Sequence, residues 1–168
     1  MAVNEIVTLP HPILRKKAVK VSSFDDDFQE LVNDMISLMR EAPGVGLAAP
    51  QVAKSLRLVT VEYGEEEDQP KKLYVVANPE IIKQSEEMEN GIEGCLSVPG
   101  LIGDVDRHEA IVIKGLNRFG KPLKLSATGW LARIFQHEID HLDGIIFTDR
   151  ANEVWKPTED EEQTLKDV

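Results

Sequence analysis

The segment His137-Glu138-Ile139-Asp140-His141 constrains this chain more than any other. Two histidines four residues apart lie about one turn apart on the same face of a helix. At that spacing both imidazoles can hold one metal ion, and the glutamate between them can carry protons. A fold that uses the segment this way must bury the helix and bring a third ligand from elsewhere. A histidine pair on an apolar helix face also occurs as hydrogen-bonded core, so the third ligand decides between the readings.

Trp130, Ile134, His137 and His141 recur at helical spacing and predict one inward stripe on a helix over about 128–142, with Gly144 as its C-terminal stop. A hydrolytic metal site needs three protein ligands and one open position. One peptidase pattern, HExxHxxGxxH, is excluded. Gly144 is in place, but Phe147 stands where the third histidine belongs. Glu153 and the acids at 159–162 qualify as ligands by type, yet no amphipathic helix carries them. The single cysteine, Cys95, lies upstream in Glu93-Gly94-Cys95-Leu96-Ser97, among Gly91, Gly94 and Pro99. Its thiolate suits iron or zinc. A lone cysteine is also commonly a small buried hydrophobe, and at this point both readings of Cys95 stand.

The chain has 168 residues, enough for one domain with a real core. Its 42% apolar and 29% charged content is that of a soluble globular protein. No apolar run approaches the ~20 residues of a membrane span, and the first residues lack the pattern of a secretory signal. One cysteine allows no intramolecular disulfide, which points to a reducing, cytoplasmic setting. A net charge of -11 argues against direct nucleic-acid binding. The acids concentrate at 65–68 and 159–162, both read as solvated surface.

Residues 1–22 read as extended or irregular, since Pro10 and Pro12 block an early helix. Ser23-Phe24-Asp25-Asp26 fits a capping box before Phe28, Leu31, Val32, Met35, Ile36 and Met39, which follow the helical period. That helix should stop near Pro43-Gly44, ahead of a glycine-rich turn at 44–47. Strands are expected at 57–63 and 73–77, the second ended by Asn78-Pro79. Residues 110–116 and 122–125 flank Asn117-Arg118-Phe119-Gly120, a hairpin signature. Strands grouped between two helices predict an α+β fold rather than a βαβ array. The expected organisation is one catalytic domain over 1–150 and a short acidic tail over 151–168.

Three segments, in order, carry a family resemblance: Gly44-Val45-Gly46-Leu47-Ala48-Ala49-Pro50-Gln51, Glu93-Gly94-Cys95-Leu96-Ser97, and Gln136-His137-Glu138-Ile139-Asp140-His141-Leu142-Asp143-Gly144. With them the chain closely resembles the peptide deformylases, from Pro10-His11-Pro12 to about Asp149. The resemblance implies mainly antiparallel strands around a central HExxH helix. It implies hydrolysis of the formyl group from N-formylmethionine on nascent polypeptides, releasing formate. It also implies a Cys95, His137, His141 ligand set for Fe2+, which Zn2+, Ni2+ or Co2+ can replace.

By the same resemblance Glu138 is the proton carrier, and the Gln51 amide and Leu96 backbone N–H meet the developing oxyanion. Gly46 and Gly94 would let an extended substrate approach the backbone. Val45 and Ile134 would line the methionine pocket, while Glu93 and Arg107 resemble an ion pair bracing the cysteine segment. Trp130 and Arg133 are bulkier or more polar than the aliphatic residues of some relatives, which leaves pocket shape and preference open. The stretch from Lys156 to Val168 holds five acids and two lysines and would be repelled by ribosomal RNA. Transient ribosome contact would need another patch, such as Arg15, Lys16, Lys17 and Lys20. Two competing readings are a zincin-type metallopeptidase with a carboxylate third ligand and a non-catalytic metal-binding protein.

Overall fold

Helix α1 (Asp26–Glu41) forms where the helical period places Phe28, Leu31, Val32, Met35, Ile36 and Met39 on one buried face. Each such side chain contributes roughly 1.5–3 kcal/mol on burial. Its N-cap differs from the sequence expectation. Asp25, not Ser23, accepts from the Phe28 backbone N–H, at 3.0 Å. A carboxylate there also complements the positive end of the helix dipole, which a serine hydroxyl does not. This computed structural model describes residues 3–66 and 68–164.

After α1 the chain does not make a plain glycine turn. Gly46–Ala48 is strand β1, paired antiparallel with β2 (Leu58–Tyr63). Strand β3 (Lys72–Gln84) runs through Asn78-Pro79 instead of ending there. The ladder slips between Ala77 and Glu80, so Pro79 sits at a bulge, where its missing N–H costs no ladder bond. Asn78 takes a left-handed φ of 51°, and its side-chain amide bonds both the N–H and the C=O of Val21. Strands β4 (Met88–Cys95) and β5 (Val98–His108) form a long hairpin that the sequence reading did not assign. Strands β6 (Ala110–Leu116) and β7 (Pro122–Thr128) form the expected hairpin, with Gly120 at φ 79° in its turn.

Helix α2 (Gly129–Leu142) carries the HExxH segment. Gly144 follows at φ 75°, and a Cβ there would lie 2.6 Å from the Arg15 carbonyl oxygen. The short helix α3 (Phe147–Arg150), strand β8 (Val154–Trp155) and helix α4 (Glu159–Thr164) complete the order. Strand β8 joins β5, so part of the acidic tail is built into a sheet. Pro12–Arg15 is a 3-10 turn within the segment expected to be irregular, and it begins at a proline.

The architecture is α+β, with one sheet in the order β1-β2-β3-β6-β7 and another in the order β4-β5-β8. Leu58 of β2 packs in the cluster that α1 covers. Val59 and Val61, one and three residues on, pack with Phe135 and Leu142 of α2. Strand alternation thus seats the first sheet between two helices. A third cluster joins Cys95, Val98 and Val105 to Leu14, Ile146 and Phe147. Among the described residues no helix is long and apolar enough to cross a membrane. Glu65, Glu66 and Asp68 are exposed, while Glu67 lies outside the described residues.

Candidate metal centre

Helix α2 is enclosed on nearly every side: residues 132–139 are all buried, including Arg133, Gln136, His137 and Glu138. The expected inward stripe is therefore only part of what is covered, and Trp130, at the helix start, is half-buried. A polar group in such a position needs a partner. Gln136 bonds the backbone N–H and C=O of His108. His137 Nδ1 meets Glu93 Oε1 at 2.8 Å, which leaves Nε2 facing the interior.

Cys95 reaches the same space because β4 is bulged between Gly94 and Cys95. Its Sγ lies 3.4 Å from His141 Nε2. Ligand atoms of Cys95, His137 and His141 lie within 4.8 Å of one another, and all three residues are buried. Among the described residues this is the group of side chains able to hold a metal ion. Tetrahedral bonds of about 2.3 Å to sulfur and about 2.0–2.1 Å to nitrogen set such donors roughly 3.5 Å apart. His137 Nε2, His141 Nδ1 and both Glu138 oxygens are buried without hydrogen-bond partners. With His141 Nε2 facing the thiol and His137 Nε2 buried without a partner, the cluster fits a metal ion better than a closed core.

Charge around the site is uneven. Burial alone would raise the Glu93 carboxyl, but hydrogen bonds from Arg107 and His137 hold it well below the usual range. Burial lowers the basicity of His137, yet contacts with Cys95 and Glu93 outweigh it and bring the metal-free imidazole up to about 10. Burial drives His141 the other way, well below an ordinary histidine. Burial raises Glu138 to about 7, against the opposing charge of His137. A carboxyl poised there can both take and release a proton near neutrality.

Gln51 is fully buried, with Oε1 accepting from the Ala48 N–H at 2.9 Å. That bond fixes the amide so that Nε2 points toward Ser97 Oγ (3.1 Å) and Cys95 Sγ (3.6 Å). Leu96 is half-buried and follows Cys95 directly. Gly94 is buried in β4, while Val45 and Ile134 share one apolar cluster. Gly46 has a further reason to be glycine. A Cβ there would lie 2.5 Å from Glu138 Oε2, so the glycine is the wall against which the carboxylate rests. Phe147, which replaces the third histidine of the peptidase pattern, stacks on His137 with ring centroids 6.1 Å apart.

The polypeptide deformylase family model matches residues 3–156. The chain belongs to that family. A peptide deformylase of Symbiobacterium thermophilum is 48% identical over 163 residues, covering 97% of this chain and 73% of the relative. One of Natranaerobius thermophilus is 46% identical, covering 95% of this chain and 99% of its own length. The crystal structure of the Thermotoga maritima deformylase superposes with a TM-score of 0.84 at 36% identity, covering 91% and 100% of the two chains. That of Legionella pneumophila gives 0.83 at 43% identity, covering 90% and 87%.

Within this deformylase frame the side chains around Glu93 are more elaborate than the sequence suggests. Arg107 binds Glu93 through two hydrogen bonds, of 2.9 and 2.8 Å, and also reaches Asp140 at 2.7 Å. Asp140 is in turn gripped by Arg150. Arg133 stands near the methionine pocket in the sequence reading. Its guanidinium turns instead into the β4–β5 hairpin and binds Glu93 Oε2 at 2.7 Å, leaving Trp130 the bulky side chain at that end of α2. The sequence reading gave no site role to Ser97 or Asp140 and did not connect Arg133 with Glu93. The signal for Arg133 was its place four residues before His137, on the helix face of the ligands.

Proposed function

We infer that this chain removes the formyl group from N-formylmethionine at the start of nascent polypeptides, in the cytoplasm, as a metal-dependent hydrolase. The observation that carries the reading is the convergence of Cys95, His137 and His141 beside a buried, unpartnered Glu138, in a chain of the deformylase family.

Cys95, His137 and His141 would hold the ion, and we assign Fe2+, with Zn2+, Ni2+ or Co2+ as replacements suited to the same thiolate and imidazoles. A metal held there supplies Lewis acidity and lowers the pKa of water toward neutrality. Glu138 takes the proton of the attacking water and delivers it to the departing methionine amine, which leaves poorly unless protonated. The Gln51 Nε2 and the Leu96 N–H are the donors assigned to the oxygen on which negative charge develops. Gln51 suits this role because its amide orientation is already fixed by Ala48. Strands β1 and β4 are each the edge of a sheet, so an extended substrate can pair with either. Val45 and Ile134 offer apolar contact for the methionine side chain. Lys16, Lys17 and Lys20 are exposed and remain the patch for transient ribosome contact, while Arg15 is engaged by Asp149.

The test is anaerobic purification with ferrous iron and assay of formate release from formyl-Met-Ala-Ser. Wild type should release formate. Glu138→Ala should keep its iron while turnover falls about 10²–10⁴-fold. No formate from folded, iron-loaded wild type overturns the activity, and loss of iron from Glu138→Ala overturns the role of Glu138.

A further inference from the structure

Glu93 is a single carboxylate with four charged or polar donors on it. Oε1 receives Arg107 Nη2 at 2.8 Å and faces His137 Nδ1 at 2.8 Å. Oε2 receives Arg107 Nε at 2.9 Å and Arg133 Nη1 at 2.7 Å. Two guanidiniums on one carboxylate exceed what an ion pair requires. Arg107, however, divides its charge between Glu93 and Asp140. The other hydrogen bonds of Arg133 go to the backbone carbonyls of Val105, at 2.9 Å, and Glu89, at 2.7 Å. Glu93 is the acid to which it is committed.

We propose that Arg133 is a positioning residue for the metal ligand His137, acting through Glu93, and that Gly91 supplies the space its guanidinium needs. This rests on the metal-centre reading above. Arg107 grips both oxygens of the carboxylate but approaches from β5 and is shared with Asp140. Arg133 pins Oε2 from the side of α2, so Oε1 stays on His137 Nδ1 and the Nε2 lone pair keeps its aim. Orientation of a ligating imidazole by a carboxylate at its far nitrogen is a strong lever on metal affinity. The residues 133, 137 and 141 lie on one helix face, so the brace and both imidazole ligands move as one body.

The guanidinium crosses β4 at Gly91. An added Cβ there would lie 2.8 Å from Arg133 Cζ and 2.9 Å from Nε and Nη2. Such approaches are not tolerated, and Arg133 is 4% exposed, so it cannot swing into solvent without abandoning its bonds. The Trp130 ring, 5.4 Å from Cζ, limits retreat on another side. Glycine in this strand is otherwise a cost.

Cobalt provides the readout, since its visible absorption reports ligand geometry directly. Wild type, Arg133→Met, Arg133→Lys, Gly91→Ala and the Gly91→Ala/Arg133→Met double variant are loaded with Co2+ as full chains. Arg133→Met should alter the visible band and speed cobalt release about 10–100-fold. Gly91→Ala should act in the same direction. Added to Arg133→Met it should do nothing more, because the guanidinium it displaces is already gone. Arg133→Lys, which keeps charge without the fork, should fall between. Should Arg133→Met not fold, Gly91→Ala and Arg133→Lys decide the matter alone. Unaltered spectra and release rates in the folded variants overturn the proposal, as does a Gly91→Ala effect undiminished in the Arg133→Met background. Wild type that takes up no cobalt overturns the metal centre as well, which separates the two failures.

Discussion

Glu93 shows how much one buried side chain can be made to hold. It is fully buried and balanced by Arg107, Arg133 and His137, so neutralising it leaves Arg133 without an acid in the interior and Arg107 with Asp140 alone. Breaking a buried pair from one side costs about 3–5 kcal/mol, the loss expected for Glu93→Gln near neutral pH. The folded carboxyl is ionised well below the usual range. Its stabilisation is therefore complete above the unfolded pKa, about 4.3, and fades as pH falls below it. The gap between wild type and Glu93→Gln should narrow on acidification. Urea denaturation of the metal-free proteins at about pH 7 and about pH 3 measures it, and a constant gap contradicts the ion-pair account. Part of this site was readable beforehand. Cys95, His137, His141 and Glu138 are residue types whose chemistry announces itself at the right spacing. Arg133 was not readable in this way, because an arginine in a helix normally points to water, and only Gly91 on a distant strand makes room for it.

At the scale of elements, legibility followed the strength of the periodic signal. Both long helices stand where the 3.6-residue period put them. The β4–β5 hairpin escaped notice because Glu89, Asn90, Gly91, Gly94, Gly100, Gly103 and Asp104 are poor strand formers. Gly91 and Gly103 are glycine for reasons of contact, not of strand propensity: at Gly103 a Cβ would lie 2.8 Å from the Glu153 carbonyl oxygen. The start of α1 was misplaced by two residues because serine and aspartate both qualify as caps. The structure makes a distinguishing prediction. Asp25→Ala should lower stability by about 0.5–2 kcal/mol, while Ser23→Ala should leave the urea midpoint nearly unchanged. Equal losses in the two variants would move the cap back to Ser23.

For the whole molecule, the centre brings together side chains carried by different layers of the fold. Cys95 belongs to the sheet of β4, β5 and β8, and both histidines to the helix packed on the other sheet. An ion bound there ties the two sheets together and stabilises the fold as any ligand of the native state does, by about 4.1 kcal/mol at a thousandfold excess over its dissociation constant. A strong chelator should lower the melting temperature by several degrees, and added Fe2+ under anaerobic conditions should restore it. A melting temperature indifferent to chelation would mean that the sheets hold without the metal.

The position of α2 in the chain has a consequence for the order of events during synthesis. Strands β1 to β7 are all translated before the helix that lies between their sheets. Until residues 129–142 emerge, Glu93 and Arg107 lack His137, Arg133 and Asp140, and Val59, Val61 and Ile113 lack Phe135. The growing chain then carries two half-built layers with no stable way to close, and its formation waits on a helix encoded late. A protein that acts on the beginnings of other chains thus acquires its own working centre only after the strands of both its sheets up to β7 have been made.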